Sequence, residues 1–416
     1  MAERGRSLVS GCLVRPLAAL LLIPPSAVAQ DRCTSTSKWS LPPSHIVGPT
    51  VVRWQADELV MFGDRVLVVG RGSAGRLQLL DSSGVALRIA DRRRTSSVVP
   101  RPVPGEPFEF SRGFESSGGL TMLWGVPVDT ATPRSALEQH DLRVGTWDGA
   151  DWHAVRTIGR FTMRTSFAPQ RTSELVEHRG VRYLAVIVDD TLPPQTQVAI
   201  VSDSGGHWRT HRFDVGLRAL TAVSLGIDDD RLVLSVLGVP RLLPEEGRMY
   251  GATPFVTRLD ARGWTTPVAL GGSPWLSQYF PKLLATADGL IAVWASVSET
   301  GPALEWRRVG FDAPHGPLQR LAGTGFITQG QPPFQDLLSV LTMDGRALIL
   351  RLRGQGYDLI DEFPLTGNFA PAIGGSRDRP IVAYPVLDDP ADAGGGHVEV
   401  RDLRCALQRA PVRSPR

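Results

Sequence analysis

The feature that most constrains the fold is a short apolar run that recurs along most of the chain. Each run is rich in Val, Leu and Ile, has a period-two character, and is bounded by Gly, Asp or Pro. This pattern predicts β-strands separated by turns. Successive runs start about 50 to 60 residues apart, except for a shorter last interval, which is typical of a repeated multistrand unit. The seven runs begin at Asp64, Gly119, Gly180, Asp230, Gly289, Gly345 and Arg379.

Most of these runs follow another apolar run, and a tight turn such as Ala287-Asp288-Gly289 or Met343-Asp344-Gly345 joins the two. Asp-Gly between apolar runs is a strong hairpin signal. Two further strands follow most hairpins, and the last often begins at a turn with Asp, Gly and sometimes Trp. Four strands per unit predict an all-β propeller of seven blades, with six as the alternative. The sixth unit, residues 324–366, has only three clear strands.

The composition supports this fold class and excludes some functions. The 416 residues include 43 Gly and 33 Pro, which disfavours long helices. The net charge of +3 gives no indication of nucleic-acid binding. Among 45 basic residues only Lys38 and Lys282 are lysines. Beyond the N-terminus no segment is long and apolar enough to predict a membrane span.

The N-terminus has the pattern of a secretory signal peptide. Arginines precede the apolar stretch 17–23, and small residues ending in Ala27-Val28-Ala29 follow it. We expect residues 1–29 to be removed and the protein to be secreted or periplasmic. A single propeller domain is predicted for residues 30–407, with a disordered basic tail at 408–416.

The two cysteines of the mature chain lie near its opposite ends. In an oxidising compartment Cys33 and Cys405 are expected to form a disulfide, with two unpaired thiols as the alternative. Residues 398–405 have the pattern of the third strand of the last unit. The segment Lys38-Trp39-Ser40-Leu41-Pro42 is similar to Gly263-Trp264-Thr265-Thr266-Pro267. We therefore expect an N-terminal strand to complete the last blade and close the ring.

One turn resembles the Asp-box, or BNR repeat, of sialidase-like propellers, whose pattern is roughly Ser-x-Asp-x-Gly-x-Thr-Trp. In the segment 200–208, Asp203, Gly205 and Trp208 match, whereas Ser202 lies one place late and His207 replaces Thr. The resemblance implies that these matching residues are structural. In that family the Asp caps the turn between the third and fourth strands, on the face away from the binding site.

The same resemblance implies where a ligand would bind. Sialidases clamp a carboxylate with three arginines and use a Tyr nucleophile paired with Glu, together with an Asp acid. Their Phe/Tyr-Arg-Ile-Pro opening is absent here, and no catalytic Tyr–Glu pair can be assigned. Four arginines lie near predicted blade starts, and one Tyr lies near a later inner strand. The ligand-binding candidates are therefore Arg53, Arg112, Arg164, Arg218 and Tyr279.

Long connections after the second strand of a unit predict the binding face, with tolerated surface insertions as the alternative. They comprise residues 127–140, 189–196, 239–252 and 386–397. Acidic clusters also occur on loops, and they are either weak Ca²⁺ candidates or solvated turn residues. These clusters are Asp228-Asp229-Asp230, Asp189-Asp190 and Asp388-Asp389. No cofactor is otherwise expected.

Two classes of function agree with these patterns. The leading hypothesis is a secreted, non-catalytic propeller that binds an extracellular glycan or protein through its loop face. The alternative is a divergent exo-acting sialidase or related glycoside hydrolase. A scaffold within an envelope complex is a third possibility.

Overall fold

The computed structural model describes a series of segments between residues 36 and 409. At every described position before residue 100, and at some later ones, the description covers the backbone alone. The described residues are 36–40, 55–62, 65–71, 87–90, 96–99, 102–103, 111–116, 119–128, 138–163, 171–189, 196–240, 252–271, 277–298, 300–312, 314–330, 333–365, 371–377, 379–387 and 396–409. The predicted signal peptide, Cys33, Arg53 and Arg164 lie outside them.

These residues form β1 (Thr36–Ser40) and seven antiparallel sheets, which we number in chain order. The first sheet contains β2 (Gln55–Phe62), β3 (Arg65–Arg71), β4 (Leu87–Ala90) and β5 (Ser96–Val99). The second contains β6 (Ser111–Ser116), β7 (Gly119–Pro127), β8 (Glu138–Trp147) and β9 (Trp152–Met163). The third contains β10 (Val176–His178), β11 (Val181–Asp189), β12 (Thr196–Ser204) and β13 (His207–Phe213).

The fourth sheet contains β14 (Leu217–Asp228), β15 (Arg231–Pro240), β16 (Thr253–Asp260) and a divided outer strand, β17 (Gly263–Trp264) and β18 (Val268–Ala269). The fifth contains β19 (Ser277–Thr286), β20 (Gly289–Ser298), β21 (Gly301–Arg308) and β22 (Gln319–Ala322). The sixth contains β23 (Thr324–Gln329), β24 (Leu337–Thr342), β25 (Arg346–Leu352) and β26 (Tyr357–Pro364). The seventh contains β27 (Ala372–Ser376), β28 (Arg379–Leu387), β29 (Gly396–Asp402) and β1. One helix, α1 (Arg404–Arg409), follows.

The sheets are arranged as the blades of a closed ring. Each sheet packs against the next along the chain, and β27 of the seventh sheet packs against β2 of the first. β1 is the outer strand of the seventh sheet and pairs antiparallel with β29, with Trp39 opposite Val398. The all-β propeller and its closure by the N-terminal strand are therefore confirmed.

The strand directions give the ring two different ends. First strands of the sheets begin at one end, where the connections from second to third strands also lie; we call this the loop end. The connections from first to second and from third to fourth strands lie at the other end, which we call the turn end. Both assignments follow from the antiparallel order within every sheet.

The core consists of apolar layers between neighbouring sheets. Between the second and third sheets, for example, Leu123 and Phe161 pack with Leu184 and Val186. Equivalent layers join the third, fourth, fifth, sixth and seventh sheets. Burial of this apolar surface is what holds the blades together. No helix in the described segments is long and apolar enough to cross a membrane.

Three sequence-based expectations need correction. The sixth sheet has four strands, not three, because β23 precedes the hairpin that the sequence makes obvious. The turn at Met343-Asp344-Gly345 consequently joins second and third strands, and the connection after the sixth sheet's first strand is a longer one, residues 330–336. The strand predicted at 398–405 ends at Asp402, and α1 takes in Cys405, whose side chain is outside the description.

Candidate functional site

The described sequence candidates lie at the loop end of the ring. Arg112, Arg218 and Tyr279 stand near the beginnings of β6, β14 and β19, the first strands of three sheets. Their backbones therefore surround the same mouth of the central channel. The side chains of Arg218 and Tyr279 lie outside the description, so only Arg112 has a described environment.

Arg112 contacts the neighbouring sheet. Its Nε donates to the carbonyl oxygen of Ser173 at 2.9 Å, and Nη2 donates to the carbonyl and Oγ1 of Thr172, both at 3.3 Å. The Ser173 hydroxyl in turn accepts a hydrogen bond from the Ala185 amide at 2.9 Å. Arg112 thus links the second sheet to the start of the third.

A charged cluster that the sequence did not reveal lies on the channel. Lys282, on β19 of the fifth sheet, donates a hydrogen bond to Oε1 of Glu174 at the start of the third sheet. Their side chains are only 13% and 20% exposed. Because the fourth sheet stands between the third and the fifth, this ion pair joins blades that are not neighbours. We call Arg112, Glu174 and Lys282 the axial cluster.

Electrostatics keep the Glu174 carboxylate ionised. Burial raises the pKa of Glu174, but attraction to Lys282 and then to Arg112 outweighs burial and holds the pKa below its ordinary value. Oε2 of the same carboxylate is buried and has no hydrogen-bond partner among the described residues. A general acid requires the opposite shift of the pKa, so Glu174 is not suited to protonating a leaving group at neutral pH.

Glutamine side chains add further contacts across the channel. Gln335, in the connection 330–336 of the sixth sheet, donates to the Leu175 carbonyl of the third sheet at 3.3 Å. Gln329 donates to the carbonyls of Leu283 at 2.8 Å and Gln335 at 3.1 Å. Together with the Glu174–Lys282 pair, these contacts tie the third, fifth and sixth sheets together across the ring.

A buried ion pair supports one of the long connections at the loop end. Arg171 and Asp189 approach to 2.6 Å between Nη2 and Oδ2, and their side chains are 3% and 2% exposed. Thr196 donates to the other oxygen of Asp189 at 3.1 Å. Asp189 is the last residue of β11 and Thr196 is the first residue of β12. The hydrogen bond between them therefore joins the two residues that flank the connection 190–195.

Aspartates organise the opposite, turn end. Asp203 caps the turn between the third and fourth strands of the third sheet, where its Oδ1 accepts a hydrogen bond from the Gly206 amide at 2.7 Å. Gly205 and Gly206 both have positive φ, as this hairpin requires. Trp208 is half-buried and packs against the layer shared with the second sheet. Asp203 and Gly205 thus shape this hairpin, and Trp208 packs beside it; that the turn is an Asp-box stays a prediction.

The same device recurs in the adjacent sheets. Asp148 Oδ1 accepts the amides of Ala150 at 2.8 Å and Asp151 at 2.9 Å, and these bonds, with that to His153, lower the pKa of Asp148 to about 2. Asp260 Oδ1 accepts the Arg262 amide at 2.7 Å.

The calcium candidates have other contacts. Asp189 contacts Arg171, and Asp230 pairs with Arg179. Burial and the neighbouring Asp229 raise the pKa of Asp228. No group of three or more His, Cys, Asp or Glu side chains is arranged to hold a metal within the described segments. Asp190, Asp388 and Asp389 lie outside these segments.

No protein-family model and no curated protein matches this chain. Among solved structures it is similar to an α-L-arabinanase from Penicillium chrysogenum, with 16% identity, a TM-score of 0.45, and coverage of 75% of this chain and 97% of that one. It is similar to a GH93 α-L-arabinofuranosidase from Fusarium graminearum, with 11% identity, a TM-score of 0.43, and coverage of 72% and 93%. It is also similar to a sialidase from Trypanosoma rangeli, with 10% identity, a TM-score of 0.43, and coverage of 90% and 59%.

Proposed function

We propose that this chain is an exported glycan-binding propeller that takes its ligand at the loop end of the ring and does not hydrolyse it. The observation that carries the proposal is the unequal construction of the two ends. Five of the seven sheets have a long connection between their second and third strands. These connections lie at the same end of the ring as Arg112, Arg218 and Tyr279. Variable connections on a rigid scaffold are the usual place for recognition.

The axial cluster supports a binding site rather than a hydrolytic one. The Glu174–Lys282 ion pair crosses the channel, so a ligand that enters from the loop end would bind above this pair. Glycoside hydrolysis commonly needs two carboxyl groups about 5 to 10 Å apart, one of them a proton donor. Among the described residues, Glu174 is a carboxylate at the channel, and Lys282 and Arg112 hold its pKa below the ordinary value.

A divergent exo-acting hydrolase is the alternative, and one observation favours it. Glu174 Oε2 is an ionised oxygen that has no hydrogen-bond partner among the described residues and lies on the channel. Such an atom could act as a base or nucleophile if a proton donor faced it. The two functions differ in one measurable property, which is turnover.

The test uses residues 30–416 against a printed glycan array and a panel of fluorogenic glycosides. The panel includes arabinosides and sialosides, the classes named for the structurally similar proteins. We expect binding to at least one glycan class without turnover. Arg218→Ala and Tyr279→Ala should weaken that binding about tenfold. Arg209→Ala, an exposed position on the outer strand β13, is the matched control.

The outcomes separate the candidates. Turnover that disappears in Glu174→Gln, with circular dichroism unchanged, would replace the binding proposal by the hydrolase. A folded protein that binds no glycan of the array would contradict both. Equal weakening by Arg209→Ala would remove the loop end as the binding surface.

A further inference from the structure

The loop end is not uniform around the ring. The second-to-third connections of the first, second, third, fourth and seventh sheets are residues 72–86, 128–137, 190–195, 241–252 and 388–395. In the fifth and sixth sheets the same connections are only residues 299–300 and 343–345. These two sheets are adjacent in the ring. The short connections therefore occupy one continuous sector of the loop end.

Apolar side chains are exposed in that sector. Val297 is 44% exposed near the end of β20, Phe326 is 50% exposed near the start of β23, and Met343 is 70% exposed in the turn after β24. β23 packs directly against β20 and β21, and the Met343 amide donates to the Gly323 carbonyl beside β23 at 2.8 Å. We call Val297, Phe326 and Met343 the open rim. Exposed apolar side chains that share one sector of a protein surface can mark an interaction site.

Polar groups with fixed geometry adjoin the open rim. Arg320 Nη2 donates to Ser298 Oγ at 2.9 Å and to Thr300 Oγ1 at 2.8 Å, and the two hydroxyls lie 2.8 Å apart. These residues frame the short turn 299–300. A guanidinium held in place by two hydroxyls can direct its remaining N–H groups to an incoming acceptor with little loss of conformational entropy.

We infer that the open rim is the exit path of an extended oligosaccharide whose end lies over the channel mouth, an inference that rests on the proposed function. A sugar ring has an apolar C–H face and a ring of hydroxyls, so it matches an exposed aromatic side chain beside a fixed polar group. A protein partner would require about 800 Å² of surface on each side. The two short connections place the apolar and polar groups of the open rim in one sector beside the mouth. The later units of a linear chain would lie there, whereas a terminal monosaccharide would not reach them.

The experiment measures affinity as a function of ligand length. The probes are graded series of one to six units, in neutral pentose, neutral hexose and sialylated forms, titrated into residues 30–416. For the series that binds, affinity should rise with each unit up to at least four. Phe326→Ala and Met343→Ser should each remove about tenfold of the hexasaccharide affinity and leave the disaccharide unchanged.

The control is Leu359→Ala, because Leu359 is 47% exposed on the outer strand of the same sheet and away from the rim. It should bind every probe as the wild type does. Met343→Ser provides a second variant at a highly exposed position in case Phe326→Ala fails to fold. Affinity independent of length, or rim variants that match Leu359→Ala, would overturn the inference and leave the proposed function standing. A folded wild type that binds no probe would overturn both.

Discussion

The two ends of the ring are built by different rules. At the turn end, the third-to-fourth connections of the second, third and fourth sheets repeat one device, an aspartate that accepts backbone amides, at Asp148, Asp203 and Asp260. At the loop end, the second-to-third connections range from residues 299–300 to residues 72–86. The repeated device sets the hairpin geometry on which strand register depends. The comparison therefore assigns fold determination to the turn end and leaves the loop end free to vary.

The axial cluster and Gln335 join sheets across the ring. Glu174 and Lys282 meet between non-neighbouring sheets, and Gln335 reaches from the sixth sheet to the third. Contacts between sheets on different sides of the channel resist changes in the diameter of the ring. Contacts between neighbouring sheets do not set this diameter directly. Substitutions should accordingly have their largest effect on stability at the axis, a smaller one at the turn end and the smallest in the loop-end connections.

The largest effect is expected for Lys282→Met. Removing the ammonium leaves the mostly buried Glu174 carboxylate without its ion-pair partner, and breaking such a pair costs about 3 kcal/mol. Urea unfolding followed by tryptophan fluorescence measures this loss. The double variant Glu174→Gln with Lys282→Met removes both charges of the pair and should recover most of it. A single variant as stable as the wild type would show that the axis does not brace the ring.

The pH dependence of stability sharpens the same point. Because the pKa of Glu174 is lower in the folded state, its contribution is fully present above the unfolded value of about 4.3 and is lost as pH falls through the folded value. The wild type should therefore lose more stability below about pH 4 than the Glu174→Gln/Lys282→Met variant does. Parallel urea titrations from pH 7 to pH 3 measure the difference. Identical pH profiles would contradict the role assigned to Glu174.

An intermediate effect is expected at the turn end for Asp203→Ala. The substitution removes the hydrogen bond to the Gly206 amide and the ion pair of 3.5 Å with Arg182, at a cost of about 2 kcal/mol. Glycan binding should not change, because the turn lies at the opposite end of the ring. Ser204→Ala, at the exposed neighbouring position, is the control and should be nearly neutral. Loss of binding without loss of stability would reverse the assignment of the two ends.

The sequence predicted the repeat because its determinants are local. An Asp-Gly turn between apolar runs and the similarity of the segment at Trp39 to that at Trp264 were sufficient for the hairpins and the ring closure. β23 was not recognised because the strong turn at Met343 lies further along the chain, between β24 and β25. That turn resembles the one that joins the first two strands in the other sheets. Local pattern cannot distinguish the first hairpin of a sheet from the second.

The axial cluster was not predictable in the same way. Glu174 and Lys282 are 108 residues apart, and neither lies in a motif. The one available signal was compositional: Lys282 is one of two lysines in a chain with 45 basic residues. Arg112 was selected for its position, yet position did not reveal that its guanidinium contacts Thr172 and Ser173. Side-chain direction within a ring depends on the neighbouring blade, which sequence spacing does not specify.

The smallest effect on stability, together with a large effect on binding, is expected from shortening a loop-end connection. Replacing residues 243–250, between β15 and β16, by Gly-Gly should change the free energy of unfolding by less than about 0.6 kcal/mol, since loop-closure entropy depends weakly on length. The matched change at the turn end inserts Gly-Gly between Gly205 and Gly206, where it separates Asp203 from the amide that it caps and should cost more than about 1 kcal/mol. Urea unfolding and glycan titration of both variants measure the two quantities side by side. If the shortened connection destabilised the protein more than the insertion did, the long connections would contribute to the stability of the fold. That result would contradict the assignment of the loop end as the variable, ligand-binding surface.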